Sequence, residues 1–120
     1  MKLLLDTNSV IYYLTGNQKI KQAITDAEQV AVSFISVVEL KAIKLKESEI
    51  LSIDQFLSCC EIFYPNMESL ETIIRIRKDY KLKIPDAVIA SEALMRNLTL
   101  VTADKEIIRK LPVLSIIDPL

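Results

Sequence analysis

The chain has 120 residues, 51% of them hydrophobic and 26% charged, with a formal charge of −1. That length and balance predict one globular domain spanning residues 1–120, with enough apolar surface for a real core, and exclude a disordered tail or a broadly basic nucleic-acid binder. There is no histidine, which removes Ser-His and Cys-His nucleophiles and every His-ligated zinc site together.

Taken in chain order, apolar runs alternate with helical patterns. Leu3–Leu5 reads as a short buried strand. Asp6-Thr7-Asn8-Ser9 then offers capping side chains ahead of a helix over Val10–Leu14, and Gly16, the only glycine, suits its end. A second helix follows over Lys19–Glu28, and Val30–Ile35 reads as a strand. Ser36 is the expected cap of a helix running to about Lys46. Glu49–Cys60 places Ile50, Ile53, Phe56 and Leu57 at helical spacing. Ile62–Tyr64 is a brief strand closed by Pro65, and Met67–Tyr80 is a long helix. Pro85–Asn97 is another, with proline in its first turn. Leu98–Thr102 and Val113–Ile117 close the series as strands, with a short helix from Lys105 between them.

Near-continuous apolar strands separated by helices predict a mostly parallel sheet covered on both faces, a three-layer α/β/α sandwich. Ligands of such sheets bind at the carboxyl ends of the strands. Met1–Leu5 could open a signal peptide, but Asp6 interrupts the apolar run too early. No stretch approaches the length that spans a bilayer. The two cysteines are adjacent, Cys59 and Cys60, and neighbouring cysteines seldom bridge. A reducing cytoplasm is therefore the expected compartment.

Four carboxylates stand out from this frame. Asp6 and Asp104 each end an apolar run, and each also suits a helix cap, worth about 1 kcal/mol. Glu39 falls on the arc of Ala42 and Ile43, away from Lys41 and Lys44, a costly place for an unpaired charge. Asp86 shares its face with Ile89, Ala90 and Ala93, whereas Ser91, Glu92 and Arg96 fall elsewhere; interaction with its helix N-terminus, worth about 0.3–1 kcal/mol, is the plain explanation. In a doubly wound sheet all four converge on one rim. Crowded carboxylates repel, and a hard divalent cation, Mg²⁺ or Mn²⁺, relieves that repulsion and suits phosphodiester chemistry. Positive charge is concentrated between Arg75 and Lys83, with a smaller group at Lys41, Lys44 and Lys46. Each cluster reads either as a solvated helix face or as a rim that tracks phosphates, with Lys41, Lys44, Lys81 and Lys83 as the phosphate-contact candidates.

Leu4-Leu5-Asp6-Thr7-Asn8-Ser9, Ser36-Val37-Val38-Glu39-Leu40, Ile84-Pro85-Asp86-Ala87-Val88-Ile89-Ala90 and Leu100-Val101-Thr102-Ala103-Asp104 occur in that order. Together they resemble the signature blocks of PIN-domain nucleases, in particular the VapC-like toxin ribonucleases of type II toxin–antitoxin pairs, and the closing Ile116-Ile117-Asp118-Pro119-Leu120 is similar to the usual end of those chains. The resemblance covers essentially the whole sequence. It implies a PIN-like fold with Asp6, Glu39, Asp86 and Asp104 as the catalytic, metal-binding acids and Asn8 and Thr102 as supporting polar groups. It further implies Mg²⁺-dependent endoribonuclease activity on RNA such as tRNA or rRNA, in a cytoplasmic homodimer inhibited by a cognate antitoxin. Where family members often place an aromatic after an acid, this chain has Glu106-Ile107, which leaves the part played by Glu106 open. The competing readings are a PIN-like binding module without turnover and an aspartyl-nucleophile phosphatase. The phosphatase is disfavoured because Asn8 stands where a second acid is usual. Dinucleotide and P-loop folds need glycines the chain does not have.

Overall fold

The computed structural model describes residues 1–120. Five strands form one sheet: β1 (Lys2–Leu5), β2 (Gln29–Ser33), β3 (Glu61–Phe63), β4 (Thr99–Val101) and β5 (Ile116–Ile117). Their order is β3-β2-β1-β4-β5, and every pairing is parallel. The chain winds outward from β1 to one edge, then returns to build β4 and β5 on the other side. That reversal opens a crevice at the carboxyl ends of β1 and β4, where open α/β sheets bind ligands.

Seven helices cover the two faces: α1 (Thr7–Leu14), α2 (Gln18–Asp26), α3 (Phe34–Ala42), α4 (Glu47–Ser58), α5 (Met67–Tyr80), α6 (Ile84–Met95) and α7 (Lys105–Lys110). Successive strand residues point to opposite faces, so each strand feeds two cores. Leu3, Leu5, Val32 and Val101 meet Val10, Ile20, Leu40 and Ile53 on one side. Leu4, Ala31 and Leu100 meet Ile76, Ala87, Ala90, Ala93 and Ile107 on the other. The expected α/β/α sandwich with a parallel sheet is the architecture found. No helix is long and apolar enough to cross a membrane.

Local chemistry explains the boundaries and corrects several expectations. The first helix starts at Thr7, because Asp6 Oδ1 accepts the Ser9 N–H at 2.8 Å as its N-cap. The cap of α3 is Ser33, whose Oγ accepts from Ile35 N; Ser36, expected in that role, is buried in the first turn of the helix. This helix ends at Ala42 and not near Lys46, and Lys46 instead begins α4 as its N-cap. The last strand is only Ile116–Ile117, and Val113 is exposed. Lys81 ends α5 with φ of 54°, a left-handed cap. Arg77 Nη1 donates to Leu82 O at 2.6 Å across that turn, so this arginine is occupied in holding α5 to α6. Both cysteine thiols are free, and burial pushes the Cys60 thiol up to about 12.

Candidate metal centre

Asp6, Glu39, Asp86 and Asp104 line one cavity of about 270 Å³, together with Thr7, Asn8, Tyr12, Ile89, Ala103 and Leu120. The parallel sheet delivers two of the acids directly. Asp6 follows β1, and its backbone N–H donates to Val101 O, so it sits against β4. It is 9% exposed, and both its oxygens are held: Oδ1 by the Ser9 N–H and Oδ2 by the Thr102 hydroxyl at 2.6 Å. Thr102 Oγ1 also accepts from Asp104 N at 3.1 Å, so one hydroxyl spaces the two rim acids. Asp104 caps α7 by accepting from Glu106 N and Ile107 N. Capping and site placement are therefore not alternatives for Asp6 and Asp104, because each does both.

Helices deliver the other two. Glu39 is half-buried on α3 and accepts from Thr7 Oγ1 at 2.6 Å. A hydroxyl has one proton, so the 2.9 Å contact between Thr7 Oγ1 and Ser36 Oγ is donated by Ser36. The expectation that Glu39 lies on a buried apolar arc is wrong in one respect: Ile43 is 49% exposed and Ala42 is exposed. The short helix stops there, and the glutamate looks sideways into the cavity instead of down into the core. Asp86, in the first turn of α6, is also half-buried. It makes no hydrogen bond through its carboxylate. Burial first, then the charges of Asp104, Asp6 and Glu39, raise its pKa, against a smaller opposing effect of the Lys83 ammonium.

The remaining candidates fall outside this cluster or at its margin. Asn8 lines the cavity, exposed and without a side-chain hydrogen bond. Glu106 is exposed and ion-paired with Arg109 at 2.9 Å and Lys110 at 3.1 Å; the hydrogen bond from Arg109 is the main cause holding its carboxyl below the usual range. Lys41 pairs with Asp54 at 2.7 Å. Lys44, Lys81 and Lys83 are exposed and do not line the cavity. Four residues escaped the sequence reading: Thr7, Ser36, Tyr12 and Leu120. Ser36 was open to detection, since it lies three residues before Glu39 and so on the same helical face. Leu120 reaches the cavity because Asn17 Nδ2 holds Pro119 O and Lys105 holds Asp118 at 2.8 Å, a tertiary arrangement with no local signal.

The donor set fits a hard cation: four carboxylates, no sulfur and no imidazole. No three of these side chains are yet gathered about a single point as they would be around an ion.

The doubly wound parallel sheet, with four acids lining one cavity at its switch point, defines the class as an α/β domain. A PIN-domain family model matches residues 3–113, and the chain belongs to the PIN-domain family. It is similar in structure to a chain of a toxin–antitoxin complex from Klebsiella pneumoniae, at 28% identity and a TM-score of 0.83, over 98% of each chain. Two further structures share the fold: VapBC-1 from nontypeable Haemophilus influenzae, at 23% identity and a TM-score of 0.82 over 99% of this chain and 98% of that one, and DNA-bound VapBC from Salmonella typhimurium, at 22% and 0.82 over 100% and 99%. No curated protein sequence matches the chain.

Proposed function

We propose that this chain is a metal-dependent endoribonuclease, the VapC-like toxin of a toxin–antitoxin pair, working as one nuclease domain over residues 1–120. The observation that carries the proposal is electrostatic. Four carboxylates, from the end of β1, α3, α6 and the β4–α7 connection, share one cavity, and burial followed by the charges of the other three raises the pKa of Asp86. Acids so placed repel one another, and nothing cationic in the protein lines the cavity to offset them.

In this reading Asp6, Glu39, Asp86 and Asp104 would hold Mg²⁺ or Mn²⁺. Such an ion, when bound, would supply charge to offset the phosphate and would lower the pKa of a bound water. The protein's own contribution is placement. Thr102 fixes Asp6 relative to Asp104, Thr7 and Ser36 fix Glu39, and the Ser9 N–H keeps the second Asp6 oxygen from turning away. Tyr12, which lines the cavity, supplies an aromatic side chain on which a base could stack. The likeness to a toxin–antitoxin complex supports an antitoxin as partner, and a homodimer is part of the same proposal. The retention of all four acids favours turnover over a binding-only module.

The direct test incubates purified protein with RNA in Mg²⁺, in Mn²⁺ and in excess EDTA. Cleavage is expected with either ion and none with the chelator. Undiminished cleavage in EDTA would remove the metal site from the mechanism.

A further inference from the structure

Glu92 lies outside the acidic cavity, on the buried flank of α6. The sequence pattern places it and Ser91 away from the packed face, but the structure buries α6 on nearly every side, from Ala87 to Ala93. Glu92 is only 5% exposed. Its Oε1 accepts from Ser33 Oγ at 3.1 Å, while its Oε2 is buried with no partner in the protein. Arg96, one turn on, does not pair with it; the guanidinium carbon lies 3.9 Å from the centre of the Phe63 ring. A half-satisfied buried acid is costly, and a leucine or methionine of similar volume would fit a core better.

The position of its partner gives the acid a purpose. Ser33 caps α3, accepting from Ile35 N while donating to Glu92. Helix α3 carries Glu39, and α6 carries Asp86. The Ser33–Glu92 bond is the one side-chain hydrogen bond that joins α6 to another element; its only other, from Ser91 to Ala87, is internal. Asp6 and Asp104 are set by the sheet rim and Thr102. Nothing comparable links Glu39 to Asp86.

We propose that Glu92 is a positioning residue: through the Ser33 hydroxyl it ties the helix bearing Asp86 to the cap of the helix bearing Glu39, and so sets the spacing of two acids of the cavity. The inference rests on the reading of that cavity as a cation site. Burial pushes the Glu92 carboxyl up to about 7, against the Ser33 hydrogen bond and the Arg96 charge, so the tie is made by a group that changes charge near neutrality. The ionisable groups around it are Tyr64 and Glu68, from the connection after β3 and from α5, and Arg96, which caps the end of its own helix. Either charge state keeps Oε1 as an acceptor, so the tie persists through the titration.

The test measures Mn²⁺ affinity at pH 8 by electron paramagnetic resonance of the free ion, for wild type, E92L, S33A, E92Q and D86N. E92L loses the acceptor and S33A the donor; each is expected to weaken Mn²⁺ binding about tenfold or more, the usual effect of removing a group that orients ligands. E92Q keeps an oxygen acceptor for Ser33 and should recover most of that loss. Thermal melts accompany the titrations, because E92L is expected to fold at least as stably as wild type while binding the ion less well. Glu92 as mere core filling would move stability and affinity together. Wild-type affinity in E92L or S33A, or E92Q as weak as E92L, would overturn the proposal. If D86N binds Mn²⁺ as tightly as wild type, the cation-site reading itself fails and this inference falls with it.

Discussion

Single side chains carry the sharpest expectations. Asp6→Asn and Asp86→Asn each remove one charge from the cavity while leaving its shape. Cleavage by either variant should fall by at least about a hundredfold, since even groups standing behind metal ligands are worth about 10–100-fold. RNA binding, measured by filter retention, should survive, because the proposed contacts are cationic and lie elsewhere; near-normal turnover by Asp86→Asn would end the assignment. Glu92 gives the pH dependence. Its folded-state pKa, about 7, stands above its ordinary 4.5, so the folded protein holds a proton the unfolded chain has released. The raised value disfavours folding as pH climbs: full stability is present below about 4.5 and is progressively lost up to about 7. Glu92→Gln cannot ionise, so its melting temperature should exceed that of wild type at pH 8 and converge with it towards pH 4.5. Parallel melting curves across that range would clear Glu92 of the titration.

At the level of helices and strands, the sequence was most informative where capping chemistry and apolar runs agree. Asp6-Thr7-Asn8-Ser9 announced α1 because the aspartate both ends β1 and accepts the Ser9 N–H. It misled at α3, where Ser33 and Ser36 are both good caps and the Phe34-Ile35 pair between them favours a strand; Ser33 takes the cap and also donates to Glu92 of α6. Periodicity was blind at α6, since a helix buried all round has no polar face to compare with its apolar one. The basic run after Arg75 divides once its geometry is known. Arg77 is committed to the α5–α6 turn, whereas Lys81 and Lys83 stay exposed beside the first turn of α6. Neutralising Lys81 and Lys83 together should weaken RNA binding and lower the salt slope by roughly 0.7 for each single-strand phosphate they no longer neutralise. A slope equal to that of wild type would make these two lysines solvent-facing charges only.

For the molecule as a whole, the acidic cavity is a liability when no cation offsets its charge. Four carboxylates converge, and Asp86 experiences the other three. Asp86→Asn should therefore leave the metal-free protein at least as stable as wild type at neutral pH, although an acid in a first helical turn ordinarily contributes about 0.3–1 kcal/mol. The same variant should lose most of the stabilisation that Mg²⁺ gives wild type, a gain of about 2.7 kcal/mol at a hundredfold excess over the dissociation constant. Melts with and without Mg²⁺ decide the matter. A destabilised variant that gains as much from Mg²⁺ as wild type would exclude Asp86 as a ligand. The convergence was legible from the order of strands and helices, because a parallel sheet sends every strand-end residue to one rim. The hydroxyls that hold the acids, Thr7, Ser36 and Thr102, were only partly so, since their partners lie up to 96 residues away.

Leu120 forms part of the cavity wall, whereas Met1 precedes β1 and sits at the opposite, amino end of the central strand, about four residues of extended strand away from Asp6. Anything joined after Leu120 therefore emerges at the mouth of the acidic cavity, and anything joined before Met1 emerges on the opposite side. An affinity handle of histidines at the carboxyl end would bring imidazoles, and whatever metal they carry, beside the carboxylates of the site. Titrations of Mn²⁺ and assays of RNA cleavage belong on protein carrying its handle at the amino end, or none at all.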